Sequence, residues 1–150
     1  MFAALIIALL PAPAVRAQQD PPNPLATVKG LKCRFPVAAS GSWKDGAAKV
    51  DTRTQELDLE LKGIDVQEST AEMIGTAGSV FVSAVLSGWS LYFVETSVGQ
   101  LNVTTVFAQE TAPGRLKAVH SRHGYLQMSV GRFISEPSVS QSYGECQLVP

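Results

Sequence analysis

The side chains best suited to chemistry are two cysteines, Cys33 and Cys146, and the basic cluster His120-Ser121-Arg122-His123. The cysteines stand at opposite ends of the chain that follows an export-like segment, where two thiols pair rather than persist. A bridge therefore accounts for both better than a nucleophile does. His120 and His123 are the only histidines. A metal ion needs donors converging at about 2 Å, and residues three apart on a strand point to opposite faces. These two could converge only if the chain turned at Ser121-Arg122, which Gly124 makes conceivable. A third and fourth ligand would then have to come from a distant carboxylate such as Glu95 or Asp58. The pattern fits a structural cluster at a strand end better, with Arg122 facing a carboxylate and the imidazoles donating to backbone carbonyls. No metal and no cofactor is expected.

Other catalytic signatures are missing. No serine sits in a Gly-x-Ser-x-Gly elbow, and no glycine-rich phosphate loop occurs. A non-enzymatic role is the expectation. Asn102-Val103-Thr104 fits a glycosylation sequon but falls within a predicted strand.

The segment before the cysteines sets the compartment. Phe2 to Leu10 is a continuous apolar run followed by Pro11, Pro13 and Ala14-Val15-Arg16-Ala17. A short apolar core leading to small residues is the pattern of a cleaved signal peptide, here cut near Ala17. The run is shorter than the ~20 residues a membrane span requires, so no membrane anchor is expected. The protein is placed in the periplasm or outside the cell. Residues 1–17 are read as signal, 18–29 as a polar, proline-rich flexible linker, and 30–150 as one domain.

Charge says little about partners. The chain carries 12 Lys and Arg against 13 Asp and Glu, a formal net charge of −1. That balance argues against nucleic acid.

The elements that must position these residues are strands. Leu57, Leu59 and Leu61 alternate with Glu56, Asp58, Glu60 and Lys62, the period of a half-buried strand. Ser79 to Leu86 and Trp89 to Thr96 are β-branched and aromatic runs joined at Ser87-Gly88, a hairpin signal. Gln100 to Phe107 follows across Val98-Gly99, and Arg115 to Ser121 across Ala112-Pro113-Gly114. Earlier strands are expected at Lys32 to Val37 and from Ser42 to Val50, the latter broken by Asp45-Gly46. A last strand near Tyr143 to Leu148 carries Cys146. Ser69-Thr70-Ala71-Glu72 has capping-box spacing and allows one short helix.

Short connections make neighbouring strands antiparallel. A bridge brings Cα atoms within about 7 Å, so the first strand must approach the last. The expected fold is all-β: one small antiparallel up-and-down barrel of about eight strands, lipocalin/calycin-like, its first and last strands joined by the disulfide.

Three segments carry a resemblance: Leu101 to Phe107, Ala118-Val119-His120-Ser121-Arg122-His123, and Ser140 to Cys146 with its S-x-Y-G-x-C ending. They resemble a set of small secreted bacterial proteins of no assigned activity. The resemblance covers about a third of the chain, implies export and a compact β domain, and transfers no catalytic residue. Gly41-Ser42-Trp43 is similar to the Gly-x-Trp of lipocalins. There the motif opens the first barrel strand, whereas here a cysteine-bearing strand precedes it and the later lipocalin motifs have no counterpart. Trp43 is accordingly read as a core aromatic.

These features leave a small mostly apolar ligand in the barrel interior or mouth as the first expectation. A protein partner engaging loops and a surplus apolar sheet face, as in a secreted inhibitor or envelope assembly factor, is the alternative. A homodimer is compatible with either. The strands from Ser79 to Thr96 carry bulky apolar residues on both faces, and a barrel wall needs only one face dry, so a loop or helix is expected over the outer set. The candidate binding or structural cluster is Trp43, His120, Arg122, His123 and Tyr143.

Overall fold

The computed structural model describes residues 22–125, 127–128, 133–134 and 137–149. The signal-peptide reading of residues 1–17 lies outside the described residues. Eight antiparallel strands close into one barrel. They are β1 (Gly30–Lys44), β2 (Ala47–Asp65), β3 (Thr70–Gly75), β4 (Gly78–Ser87), β5 (Ser90–Ser97), β6 (Gln100–Ala112), β7 (Arg115–Gly124) and β10 (Ser138–Val149). A two-stranded ribbon, β8 (Gln127–Met128) with β9 (Phe133–Ile134), intervenes between β7 and β10. Among the described residues no helix is long and apolar enough to cross a membrane.

The turns follow from local chemistry. Asp45 and Gly46 both hold positive φ, 53° and 78°, as a two-residue primed hairpin turn requires. They join two long strands rather than interrupting one. The short helix that Ser69-Thr70-Ala71-Glu72 allows does not form. Residues 66–69 make a turn and Thr70–Gly75 is β3. Asp65 Oδ1 accepts from the backbone N–H groups of Gln67 and Glu68 (2.9 and 3.0 Å) and fixes that turn. Backbone ladders to β2 and β4 on either side outweigh a one-turn helix with no room to propagate.

Closure puts Cys33 directly opposite Cys146 in the β1–β10 register, and the two form the disulfide. Both sulfurs lie in the core with Leu31, Phe35, Leu61, Leu91, Phe93 and Val106. Just beyond the bridge the β1 register shifts between Arg34 and Val37. Pro36, which has no N–H for a ladder, falls at this break. Gly144 answers it from β10: a Cβ there would stand 1.9 Å from the Arg34 carbonyl oxygen.

Up-and-down order sorts the connections into two ends. At one end, the chain before β1 is more than a linker. Pro24–Thr27 form a 3-10 turn capped by Asn23, whose Oδ1 accepts from Leu25 N and whose Nδ2 donates to Gly88 O. Leu25 is fully buried and joins the core together with Val28. Lys29 and Ile64 exchange backbone hydrogen bonding through Ile64 N to Lys29 O, and Lys29 Nζ donates to Ile64 O. This end is stoppered.

At the other end β2 runs past β3, so the β1–β2 hairpin is open on that side, while β10 accompanies β1 as far as Gly41. Trp43 sits near the hairpin's tip and is 46% exposed, so it is not a core aromatic. A tip that far beyond β3 has nothing to pack against. The outer set of the central strands is likewise uncovered among the described residues: Phe81 is 84% exposed and Val85 43%.

Candidate functional site

Strand register assembles a polar group at the unstoppered end. The β5–β6 register places Glu95 opposite Asn102, and the β6–β7 register places Asn102 opposite Arg122. One row deeper, Phe93 faces Thr104 and Thr104 faces His120. Alternation turns all of these inward, because Val106, Ala118 and Leu91 on the same strand faces are core residues.

The side chains engage one another along these rows. Asn102 Nδ2 donates to Glu95 Oε2 at 2.7 Å. With its amide oxygen oriented by the network, Gln100 accepts from Arg122 Nε at 2.6 Å and Nη2 at 3.1 Å. Thr104 Oγ1 and His120 Nδ1 lie 2.9 Å apart, and the His120 ring tilts against Phe35 with centroids 6.1 Å apart. Burial holds the His120 pKa below its ordinary value; the Glu95 charge opposes that shift and Arg122 reinforces it. The imidazole is therefore neutral at pH 7.

These groups and an apolar wall border an open pocket of about 360 Å3, lined by Leu57, Leu59, Met73, Val80, Glu95 and Arg122, with Gln100, Asn102 and His120 beside them. Below it the interior is filled by core side chains. A larger groove of about 620 Å3 lies on the outer wall across β1, β2 and β10. It is lined by Lys32, Arg34, Asp58, Glu60, Arg115 and Glu145, charges of both signs that stand largely in solvent. Two ion pairs already form there, Lys32–Glu60 at 3.9 Å and Arg115–Glu145 at 2.6 Å. That groove lies on the outer wall and offers no one-signed field, whereas the mouth sets convergent polar side chains over apolar ones inside the barrel, so the mouth is the better candidate despite its smaller volume.

The five residues singled out from the sequence divide between the two faces. His120 and Arg122 point inward and line the mouth. His123 lies on the outer face one step along β7, as a continuous strand demands, and no turn forms at Ser121-Arg122. Tyr143 is also outside, its hydroxyl donating to Gln141 Oε1 at 2.6 Å. Trp43 is out on the hairpin. The expected roles of the cluster change with this placement: Arg122 is held by the Gln100 amide rather than a carboxylate, and His120 meets a threonine hydroxyl rather than a backbone carbonyl. Among the described residues no three His, Cys, Asp or Glu side chains gather as a metal site.

Glu95, Gln100, Asn102 and Thr104 were not recognised as a group from sequence. Their signal was available in the alternation Gln100, Asn102, Thr104, Val106, a polar-to-apolar gradient along one strand face. Asn102 is buried inside the barrel, which removes it as a glycosylation acceptor.

Comparison with protein-family models, curated proteins and solved structures finds no match.

Proposed function

We propose that this protein is a non-enzymatic binder that holds a small, mostly apolar ligand, tipped by one polar group, in the open mouth of the barrel. One observation carries the reading. Leu25 stoppers one end, while the other keeps an open space whose apolar floor rises to a rim of convergent polar side chains. About 360 Å3 lies at the lower end of the roughly 300–1,000 Å3 typical of ligand sites. Leu57, Leu59, Met73 and Val80 would take the body of the ligand. Arg122, Asn102 and Gln100 would meet its head, and Glu95 would disfavour a strongly anionic one.

Geometry also speaks against turnover at this site. Thr104 and His120 form a hydroxyl–imidazole pair, but Thr104 is only 1% exposed and directed into the packed interior. A nucleophile there has no space in which to meet a substrate. We place the protein's work in an oxidising compartment, a reading supported by the buried disulfide and by the signal-like residues 1–17.

The test is titration with N-phenyl-1-naphthylamine, an uncharged apolar probe with one polar N–H group, together with native mass spectrometry of the purified protein. Saturable fluorescence enhancement that Met73→Trp, filling the mouth, reduces at least about tenfold in affinity is expected. Equal probe binding by the wild type and a folded Met73→Trp variant would remove the mouth from consideration.

A further inference from the structure

The second half of the β1–β2 hairpin leaves a strand edge open. β2 pairs with β1 from Ala47 onward, but its pairing with β3 begins only at Glu60. Among the described residues nothing pairs with the other side of residues 47–59. An exposed edge of this length is a template for another strand, and natural edges of this kind are blunted by proline, by bulges or by charged side chains. The segment Ala47-Ala48-Lys49-Val50-Asp51-Thr52-Arg53-Thr54-Gln55-Glu56 has no proline, and its register with β1 is continuous from Ala47 to Thr54.

Its charges follow a pattern. Lys49, Asp51 and Arg53 lie on one face, alternating plus, minus, plus, and Ala48, Val50, Thr52 and Thr54 lie on the other. Antiparallel pairing of two identical strands sets same-face residues opposite one another about a two-fold axis. An axis through Asp51 would oppose Asp51 to itself and Lys49 to Arg53. An axis through Arg53 would oppose two arginines. An axis through Thr52 sets each Asp51 against Arg53 of the second copy, Val50 against Thr54, and Lys49 against Gln55. An axis through Val50 sets each Lys49 against Asp51 of the second copy and runs over residues 47–53, all within the stretch of β2 that is regular against β1. In the Thr52 register only residues 50–54 are regular, because β2 shifts register between Thr54 and Leu57, so the Val50 register satisfies the most backbone groups.

We propose that this edge is a self-association site: two copies join β2 to β2 about Val50 and make one sheet continuous across both hairpins. The pairing leaves the barrel mouth's wall intact and does not depend on a ligand there.

Sedimentation velocity of the full chain across micromolar to millimolar concentration tests it, with three variants. Wild type should show a reversible monomer–dimer equilibrium, and the amides of residues 47–53 should gain exchange protection as concentration rises. Asp51→Arg turns two attractive cross-strand pairs into repulsive ones and should weaken association by roughly tenfold or more. The exchange Lys49→Asp with Asp51→Lys restores the pattern and should return affinity to within about threefold of wild type. Thr52→Pro removes a ladder donor at a solvent-facing edge, where a folded domain tolerates it, and should abolish the dimer. A wild type that stays monomeric throughout, or a dimer indifferent to all three changes, would overturn the assignment. Asp51→Arg and the exchange variant alter exposed side chains only, so the outcome does not hinge on Thr52→Pro folding.

Discussion

Opening the Cys33–Cys146 bridge should cost this barrel about 5 kcal/mol. The cysteines are 113 positions apart, and closing a loop of that length in the unfolded chain removes entropy worth ~4.8 kcal/mol at 25 °C in the chain-entropy description. Total stabilities of small domains are about 5–15 kcal/mol, so the reduced protein stands near the limit of folding. For a domain of this size the loss corresponds to a fall of roughly 15–20 °C in Tm. The sulfurs are also sealed in the core, Cys33 being 3% and Cys146 0% exposed. Reductant can reach them only after β1 and β10 separate, so the rate of reduction without denaturant should track that opening. The assay is urea unfolding followed by circular dichroism, on oxidised protein and on protein reduced in denaturant and refolded under reductant, with thiol content confirmed by mass. A common slope with a midpoint lowered by the equivalent of about 4–5 kcal/mol is expected. A reduced chain within about 1 kcal/mol of the oxidised one would refute the reasoning, because β1 and β10 would then be held by the ladder and core alone.

Two further outcomes follow from the interior. His120 has its pKa lowered chiefly by burial, so the unfolded chain binds its proton more readily than the folded one. Its contribution is complete above about pH 6.5 and is lost as pH falls below that value, with a slope no steeper than about 1.4 kcal/mol per pH unit. Asp65 and Glu145 also have lowered pKa values, from ordinary values of 3.8 and 4.5, and act at lower pH. Thermal melts between pH 7 and 5 should therefore show a decline that His120→Gln flattens; an unchanged slope in a folded variant would show that another group governs it. Leu25→Ala unseats the stopper and should destabilise by about 2–5 kcal/mol. Chemical denaturation that moved by less than about 0.5 kcal/mol would mean the 3-10 turn is not part of the cooperative unit.

The strand pattern was legible because half-buried strands write their two faces directly into the chain. Leu57, Leu59 and Leu61 needed no tertiary information to be placed on one face of β2. The pairing of Cys33 with Cys146 could be reasoned from their positions in the first and last strands, and it selected a closed barrel over an open sheet. Local signals failed where a neighbouring strand outbid them. Capping-box spacing at Ser69 to Glu72 lost to the ladders on both sides of β3, and Gly-x-Trp, placed on the overhanging hairpin, carried Trp43 into solvent. The proline-rich segment before β1 has the composition of a linker, and composition does not reveal that Leu25 has a barrel end to fill.

Period-two patterning is enough to define most of the strands, β3 excepted, the faces of their regular stretches, and, with the cysteines, the link between the chain's two ends. Which residue each strand sets against its neighbour emerges only in the closed wall. That register makes Glu95, Asn102 and Arg122 one row and His120 with Thr104 another, and it leaves residues 47–59 without a neighbour beyond β1 among the described residues. The reason is physical: a strand's own periodicity fixes orientation, whereas register depends on bulges, turn lengths and the packing of the whole closed wall.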